Sequence, residues 1–291
     1  MKRKIYLFIS LFTVLFCLTG CIIKRDNLEN VDIYTTVYPI EYLVDTLYGY
    51  NSKVSSIYPA EIDLNSYKLT KKQIEKYSKG EIFVYNGLSN EKGVARDLLN
   101  SNTNLKIIDV SQGLEYSYST EELWLNPRDY LMMAHNVKNG IEEYINNKYI
   151  IEEIDKNYES LKFLISSIDA ELETIPENAK DKNIIIASDA LSFLEKYGFT
   201  LTNIDNTKVD IPSTVSQKAK RLVQEKTVKY IFILDNMEES ELVSDLVKSG
   251  AQVVKIRSMS VKKESDKENG VNYKTMMQDF IDAIKKEVYE E

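Results

Sequence analysis

The sequence predicts an α/β protein: two lobes of mostly parallel sheet with helices on both faces, joined by one long linking helix. Three observations carry this prediction. From Val31 onward, β-rich apolar runs alternate with amphipathic stretches, the pattern of parallel strands linked by helical crossovers. A single helical stretch, from about Asn147 to Leu172, is far longer than its neighbours. After it the alternation of strand and helix resumes.

In the first half, Ile33–Val37 reads as a strand. Ile40–Tyr48 reads as a helix, with Pro39 in its first turn, where a missing N–H costs nothing. Val54–Tyr58 is a second strand, and Thr70–Tyr77 a helix with Thr70 as its N-cap. Ile82–Tyr85 is a third strand closed by Asn86-Gly87, and Leu105–Val110 a fourth. Asn126-Pro127 opens a helix to about Asn139, with Gly140 near its end. In the long stretch, Ile150, Ile154, Tyr158, Leu161, Ile165 and Ile168 recur at three- and four-residue steps, and Pro176 is expected to stop the run. A helix of about 26 residues is about 39 Å long at 1.5 Å per residue, enough to run along two lobes.

In the second half, Ile184–Ala187 reads as a strand and Ala190–Lys196 as a helix ending at Tyr197-Gly198. Ser216–Glu225 is helical, Val228–Leu234 a strand, Glu238–Lys248 a helix and Gln252–Ile256 a strand. Residues 261–270 read as a charged surface loop, and Tyr273–Val288 as a closing helix. In open α/β sheets ligands gather at the carboxyl ends of strands, so a cleft between the lobes is the expected site.

The first twenty residues have a different character. Lys2, Arg3 and Lys4 precede an apolar run, Ile5–Leu18, that is too short to span a bilayer, for which about 20 residues are needed. A basic start, a short apolar segment and small residues read as a secretory signal. Its end, Leu18-Thr19-Gly20-Cys21, looks like a bacterial lipobox, in which Cys21 receives a lipid and becomes the first mature residue. The expected divisions are therefore a signal peptide (1–20), a lipid-anchored tether (21–30), an N-terminal lobe (31–146), the linking helix (147–176) and a C-terminal lobe (177–291). Alkyl chains on Cys21 would hold the protein at the outer surface of the cell membrane without spanning it.

Composition agrees with export. The only two cysteines are Cys17 and Cys21, so the mature chain has neither a free thiol nor a disulfide and must rely on burial for stability. The formal charge is −8, and losing the three cations of residues 1–20 leaves −11. The lack of a long basic run weighs against nucleic acid as a partner. Gly-rich phosphate loops, Gly-x-Ser-x-Gly, CxxC and His-Glu-x-x-His are all missing, which argues against an enzyme.

Several short stretches together resemble the substrate-binding lipoproteins of zinc and manganese ABC importers, the group whose lobes are joined by a rigid helix. They are Thr35-Thr36-Val37-Tyr38-Pro39, Asp63-Leu64-Asn65-Ser66-Tyr67, Phe83–Gly87, Trp124-Leu125-Asn126-Pro127, Ser188-Asp189-Ala190 before Tyr197-Gly198, and Tyr273 with Met276-Met277. The resemblance covers nearly all of the mature chain. It implies a monomeric capture protein that works with a membrane permease and an ATPase, its cargo a divalent metal ion such as manganese or zinc.

That family's metal site usually has three His and one carboxylate, each at a strand end. The resemblance places those positions on Asn65, Glu122, Asp189 and Arg257. None is His, and the one His of the chain, His135, falls within a helix and reads as a helix-face or core residue. Asn65, Glu122 and Asp189 offer oxygen donors, which suit harder cations better than zinc. Arg257 stays charged and would repel a divalent ion at the same point. Two readings therefore stay open: a metal site with its His ligands replaced, or a divergent cleft in which Arg257 pairs with Asp189 or Glu122 and the cargo is a small polar solute or nothing. A third reading is a surface adhesin, with some of the 20 tyrosines forming a contact surface. An adjacent permease and ATPase on the chromosome would favour transport.

Overall fold

The computed structural model describes residues 29–59, 67–114, 116, 119–207 and 209–289. The signal peptide, Cys21 and Asn65 lie outside the described residues.

Each lobe is built on a four-stranded, wholly parallel sheet. In the first lobe β1 (Val31–Thr35), β2 (Ser52–Ser56), β3 (Ile82–Tyr85) and β4 (Lys106–Asp109) lie in the order β2-β1-β3-β4. In the second, β5 (Asn183–Ile186), β6 (Thr200–Asn203), β7 (Tyr230–Leu234) and β8 (Gln252–Ile256) lie in the order β6-β5-β7-β8. The two lobes thus repeat one topology, and in each the strand order reverses beside the first strand. The central β3 and β7 are buried at every position, as expected of a parallel sheet covered on both faces.

The helices of the first lobe are α1 (Tyr38–Tyr48), α2 (Lys71–Tyr77), α3 (Glu91–Ser101) and α4 (Pro127–Tyr144). α2 begins at Thr70 with a reciprocal capping box: the Thr70 hydroxyl accepts from the Gln73 N–H, and the Gln73 side chain accepts from Thr70. α4 runs past Gly140, which was expected to end it. A Cβ there would come within 2.7 Å of the Ile108 side chain, so the glycine is needed where the helix crosses β4. α3 was not expected. Its buried side is small, comprising Glu91, Val94, Ala95 and Leu98, and too weakly apolar to show as periodicity.

The linking helix, α5, spans Lys148–Asn178 and is 31 residues long, or about 46 Å. It begins where Asn147 accepts from the Tyr149 N–H and buries Ile150, Ile154, Leu161, Ile165, Ile168 and Leu172. Pro176 does not stop it. The proline is itself buried within the last turn, and only Glu177 and Asn178 follow it in the helix.

The second lobe adds α6 (Ser213–Gln224), α7 (Glu241–Lys248), α8 (Glu264–Glu268) and α9 (Tyr273–Tyr289). Asp189–Tyr197 is a 3-10 helix closed by Gly198 at φ +99°, a left-handed cap that glycine adopts without strain. β6 was not expected, because this edge strand buries only Thr202. Residues 261–270, expected to be a surface loop, contain α8 and the buried Asp266.

The lobes are joined by more than α5. Trp124, wholly buried, donates its indole N–H to the Ser258 carbonyl at 2.8 Å and accepts at its own carbonyl from the Tyr273 hydroxyl at 2.8 Å. The rings of Tyr130 and Tyr273 stack with centroids 4.0 Å apart. The Tyr38 N–H donates to the Ser260 carbonyl at 3.1 Å. Arg128 pairs with Asp169 at 2.9 Å and lies over the Tyr197 ring. Among the described residues no helix is long and apolar enough to cross a membrane.

Candidate functional site

A cleft of about 560 Å³ lies at the carboxyl ends of the second lobe's strands, roofed by one segment of the first. The segment after β5 contributes Ser188 and Asp189, that after β6 Asp205 and Thr207, and that after β7 Glu238 and Glu239. The first lobe contributes Ser119–Glu122. Asp189 follows β5 beside the point where strand order reverses, the position at which doubly wound sheets bind ligands.

Backbone and side-chain donors hold these acids in place. The Asp189 N–H donates to Asp205 Oδ2 at 2.7 Å. Asp189 Oδ1 accepts from Ser192 Oγ at 3.2 Å and from Asn203 Nδ2 at 3.1 Å. Asn203 Oδ1 in turn accepts from the Asp205 N–H, and Asp205 Oδ1 accepts from the N–H and hydroxyl of Thr207. Across the cleft, Ser119 Oγ donates to Glu122 Oε2 at 3.4 Å.

Six carboxylates line the cleft, Glu121, Glu122, Asp189, Asp205, Glu238 and Glu239, and no Lys, Arg or His is among its described lining residues. Behind it lies Glu91, 2% exposed. Its Oε2 accepts from Thr36 Oγ1 at 2.5 Å and from the Asn86 N–H at 2.6 Å. Burial dominates these bonds and raises its carboxyl to about 8. Asn86 Nδ2 donates to the Thr120 carbonyl at 2.7 Å, which connects this buried acid to the cleft rim.

Of the four positions expected from the sequence, Glu122 and Asp189 face the same cleft from opposite lobes. Asn65 lies outside the described residues. Arg257 departs from the expectation of a cleft residue: its Nη1 donates to both carboxylate oxygens of Asp266, at 2.9 and 3.0 Å. Asp266 is buried and also caps the backbone of α8 at Lys263, so the guanidinium is drawn to it. His135 is exposed on α4, with its ring 2.9 Å from the Asn139 amide. Asp205, Glu238 and Glu239 were missed. Asp205 follows a strand without an apolar run, and the glutamates read as the start of a helix that begins later, at Glu241.

Two parallel-sheet lobes on one linking helix, with a cleft at the strand carboxyl ends, are the architecture of the solute-binding subunits of metal ABC importers. The chain belongs to the family of zinc-uptake complex component A, periplasmic (ZnuA), whose family model matches residues 33–287. It is similar to a metal ABC transporter substrate-binding lipoprotein of Lactococcus lactis subsp. lactis, 23% identical over 98% of this chain and 97% of the relative. It is also similar to the manganese ABC transporter substrate-binding lipoprotein PsaA of Streptococcus pneumoniae, 25% identical over 96% of this chain and 95% of the relative. The crystal structure of the Zn(II)-bound ZnuA-like domain of S. pneumoniae AdcA matches with a TM-score of 0.73 at 18% identity, covering 89% of this chain and 99% of that domain. The chain spans 58% of the longer Zn(II)-bound AdcA chain. The laminin-binding protein Lbp of Streptococcus pyogenes shares the fold at a TM-score of 0.70 and 17% identity, over 89% of this chain and 99% of that one.

Proposed function

We propose that this chain is the lipid-anchored capture subunit of an ABC importer, tethered outside the cell through Cys21, and that its cargo is a cation bound without turnover between Glu122 and Asp189. The observation that supports this reading is the lining of the cleft: six carboxylates and no basic side chain among the described residues. A single ion pair at 4 Å is worth about 4 kcal/mol at an effective dielectric near 20, and a divalent ion doubles it. Two contacts to a divalent ion come to about 16 kcal/mol on that scale, about twice the roughly 8 kcal/mol of micromolar binding, before desolvation is subtracted. Arg257, occupied by Asp266, does not cancel this field at close range. Oxygen-only donors favour manganese over zinc.

The size of the cleft favours one refinement. Among the described residues no three His, Cys, Asp or Glu side chains converge to hold a bare ion, and about 560 Å³ falls in the range of small-molecule pockets. A cation that brings its own shell, either a hydrated divalent ion or a small polyammonium compound, fits these dimensions. Calorimetric titration of the mature protein with manganese, zinc, calcium and spermidine tests the proposal. Saturable binding of at least one cation, lost in Glu122→Gln/Asp189→Asn, is expected. Equal binding by that double variant, or no cation binding at all, would overturn it.

A further inference from the structure

The chain enters its folded part at one pole of the molecule, and that pole carries the two most exposed large hydrophobic side chains of the described residues, Tyr50 (89%) and Tyr149 (83%). The entry point is fixed by the Asn30 N–H, which donates to the Asn51 carbonyl at 2.7 Å immediately before β1. Tyr50 adjoins Asn51. The Asn51 side-chain amide reaches Glu153 at 3.4 Å, and Tyr149 lies one helical turn before Glu153 on α5. Both rings therefore flank the strand entry, at the amino ends of β1 and β2, whereas the cleft lies at carboxyl ends.

We propose that, while the protein is not docked on its permease, this pole rests on the lipid headgroup layer, so that the anchored protein stands on its first lobe with the cleft held away from the membrane. The proposal rests on the lipidation of Cys21 stated above. Eight residues lie between Cys21 and Asn30, and the nine steps from one to the other span at most about 32 Å when fully extended. The entry pole thus cannot be far from the bilayer, while α5, about 46 Å long, leads away from it. Tyrosine suits the membrane–water boundary because its ring is apolar and its hydroxyl stays wet. The exposed Lys53 and Lys148 beside the two rings are offset by Glu29 and Glu152, so ring insertion, not charge, selects this face. With acyl chains already supplying attachment, the tyrosines set orientation.

The full lipidated chain in phosphatidylcholine vesicles provides the test. With Cys21 acylated the mature protein has no other thiol, so a fluorophore can be placed singly through Tyr50→Cys, Tyr149→Cys, Phe163→Cys (midway along α5) or Val247→Cys (second lobe). Quenching by headgroup-labelled lipid should be several-fold stronger at 50 and 149 than at 163 and 247. In a Tyr50→Ser/Tyr149→Ser background, the difference between labels at Lys53→Cys and Phe163→Cys should shrink at least twofold from its value in the parent, while vesicle flotation is retained. Flotation with equal quenching at all four sites would overturn the oriented contact and leave the anchor standing. Failure of the unmodified chain to float would overturn the anchor and the orientation together.

Discussion

Replacing Glu91 by glutamine isolates the one buried acid that touches the cleft rim indirectly. In the folded protein its carboxyl is raised to about 8 from an ordinary 4.5, chiefly by burial. Between those values the unfolded chain has released its proton while the folded chain keeps it, so unfolding releases a proton and stability falls as pH rises. The stability present below 4.5 is lost as pH climbs through 8. At about 1.4 kcal/mol per unit, this one group should cost the protein on the order of 3 kcal/mol between pH 5 and pH 8. The glutamine of Glu91→Gln mimics the protonated side chain and keeps an oxygen for Thr36 and Asn86, so the variant should lack that dependence. The assay is urea unfolding of both proteins at several values between pH 5 and 8. Subtracting one curve from the other cancels every other titrating group. The variant should gain on the parent steadily as pH rises. Parallel curves, or a variant that loses ground toward pH 8, would show that Glu91 is ionised in the folded state and refute the reasoning.

Four further outcomes follow from the packing. Gly140→Ala drives a methyl into Ile108 and should lower stability by about 1–3 kcal/mol, read as a shift in the urea midpoint. Tyr273→Phe removes the hydroxyl bonded to the Trp124 carbonyl and should cost about 1–2 kcal/mol in the same assay, with unchanged cation affinity. Thr35→Val should be neutral or stabilising by up to about 1 kcal/mol, because the buried Thr35 hydroxyl has no hydrogen-bond partner among the described residues. Arg257→Ala should leave cation affinity within about twofold, yet destabilise by about 1–3 kcal/mol because buried Asp266 loses its partner; a large gain in affinity would instead place Arg257 in the cleft.

Elements whose information is local were legible. The capping residues of α2, the boundaries of β3 and β8, and the Gly198 cap follow from residue types within a few positions. Elements stabilised by their surroundings were not. α3 buries a glutamate among its few core positions, and β6 is an edge strand with a buried threonine. Both look polar in sequence and owe their form to neighbours distant in the chain. Gly140 and Pro176 mislead for the same reason, since a close crossing and a buried last turn override local preference. The site divides likewise. The resemblance put Glu122 two residues before Trp124 and Asp189 after Ser188, and both line one cleft, whereas the partner that draws Arg257 aside, Asp266, sits in a segment whose composition reads as surface. Charge on a short segment says nothing about whether one of its acids turns inward.

The most direct test is a crystal structure of the mature protein grown with manganese, with anomalous data collected at the metal edge. A peak between the carboxylates of Glu122 and Asp189, with Arg257 still on Asp266, is the predicted result. No peak there, or Arg257 turned into the cleft, would contradict capture of a divalent ion between these two carboxylates.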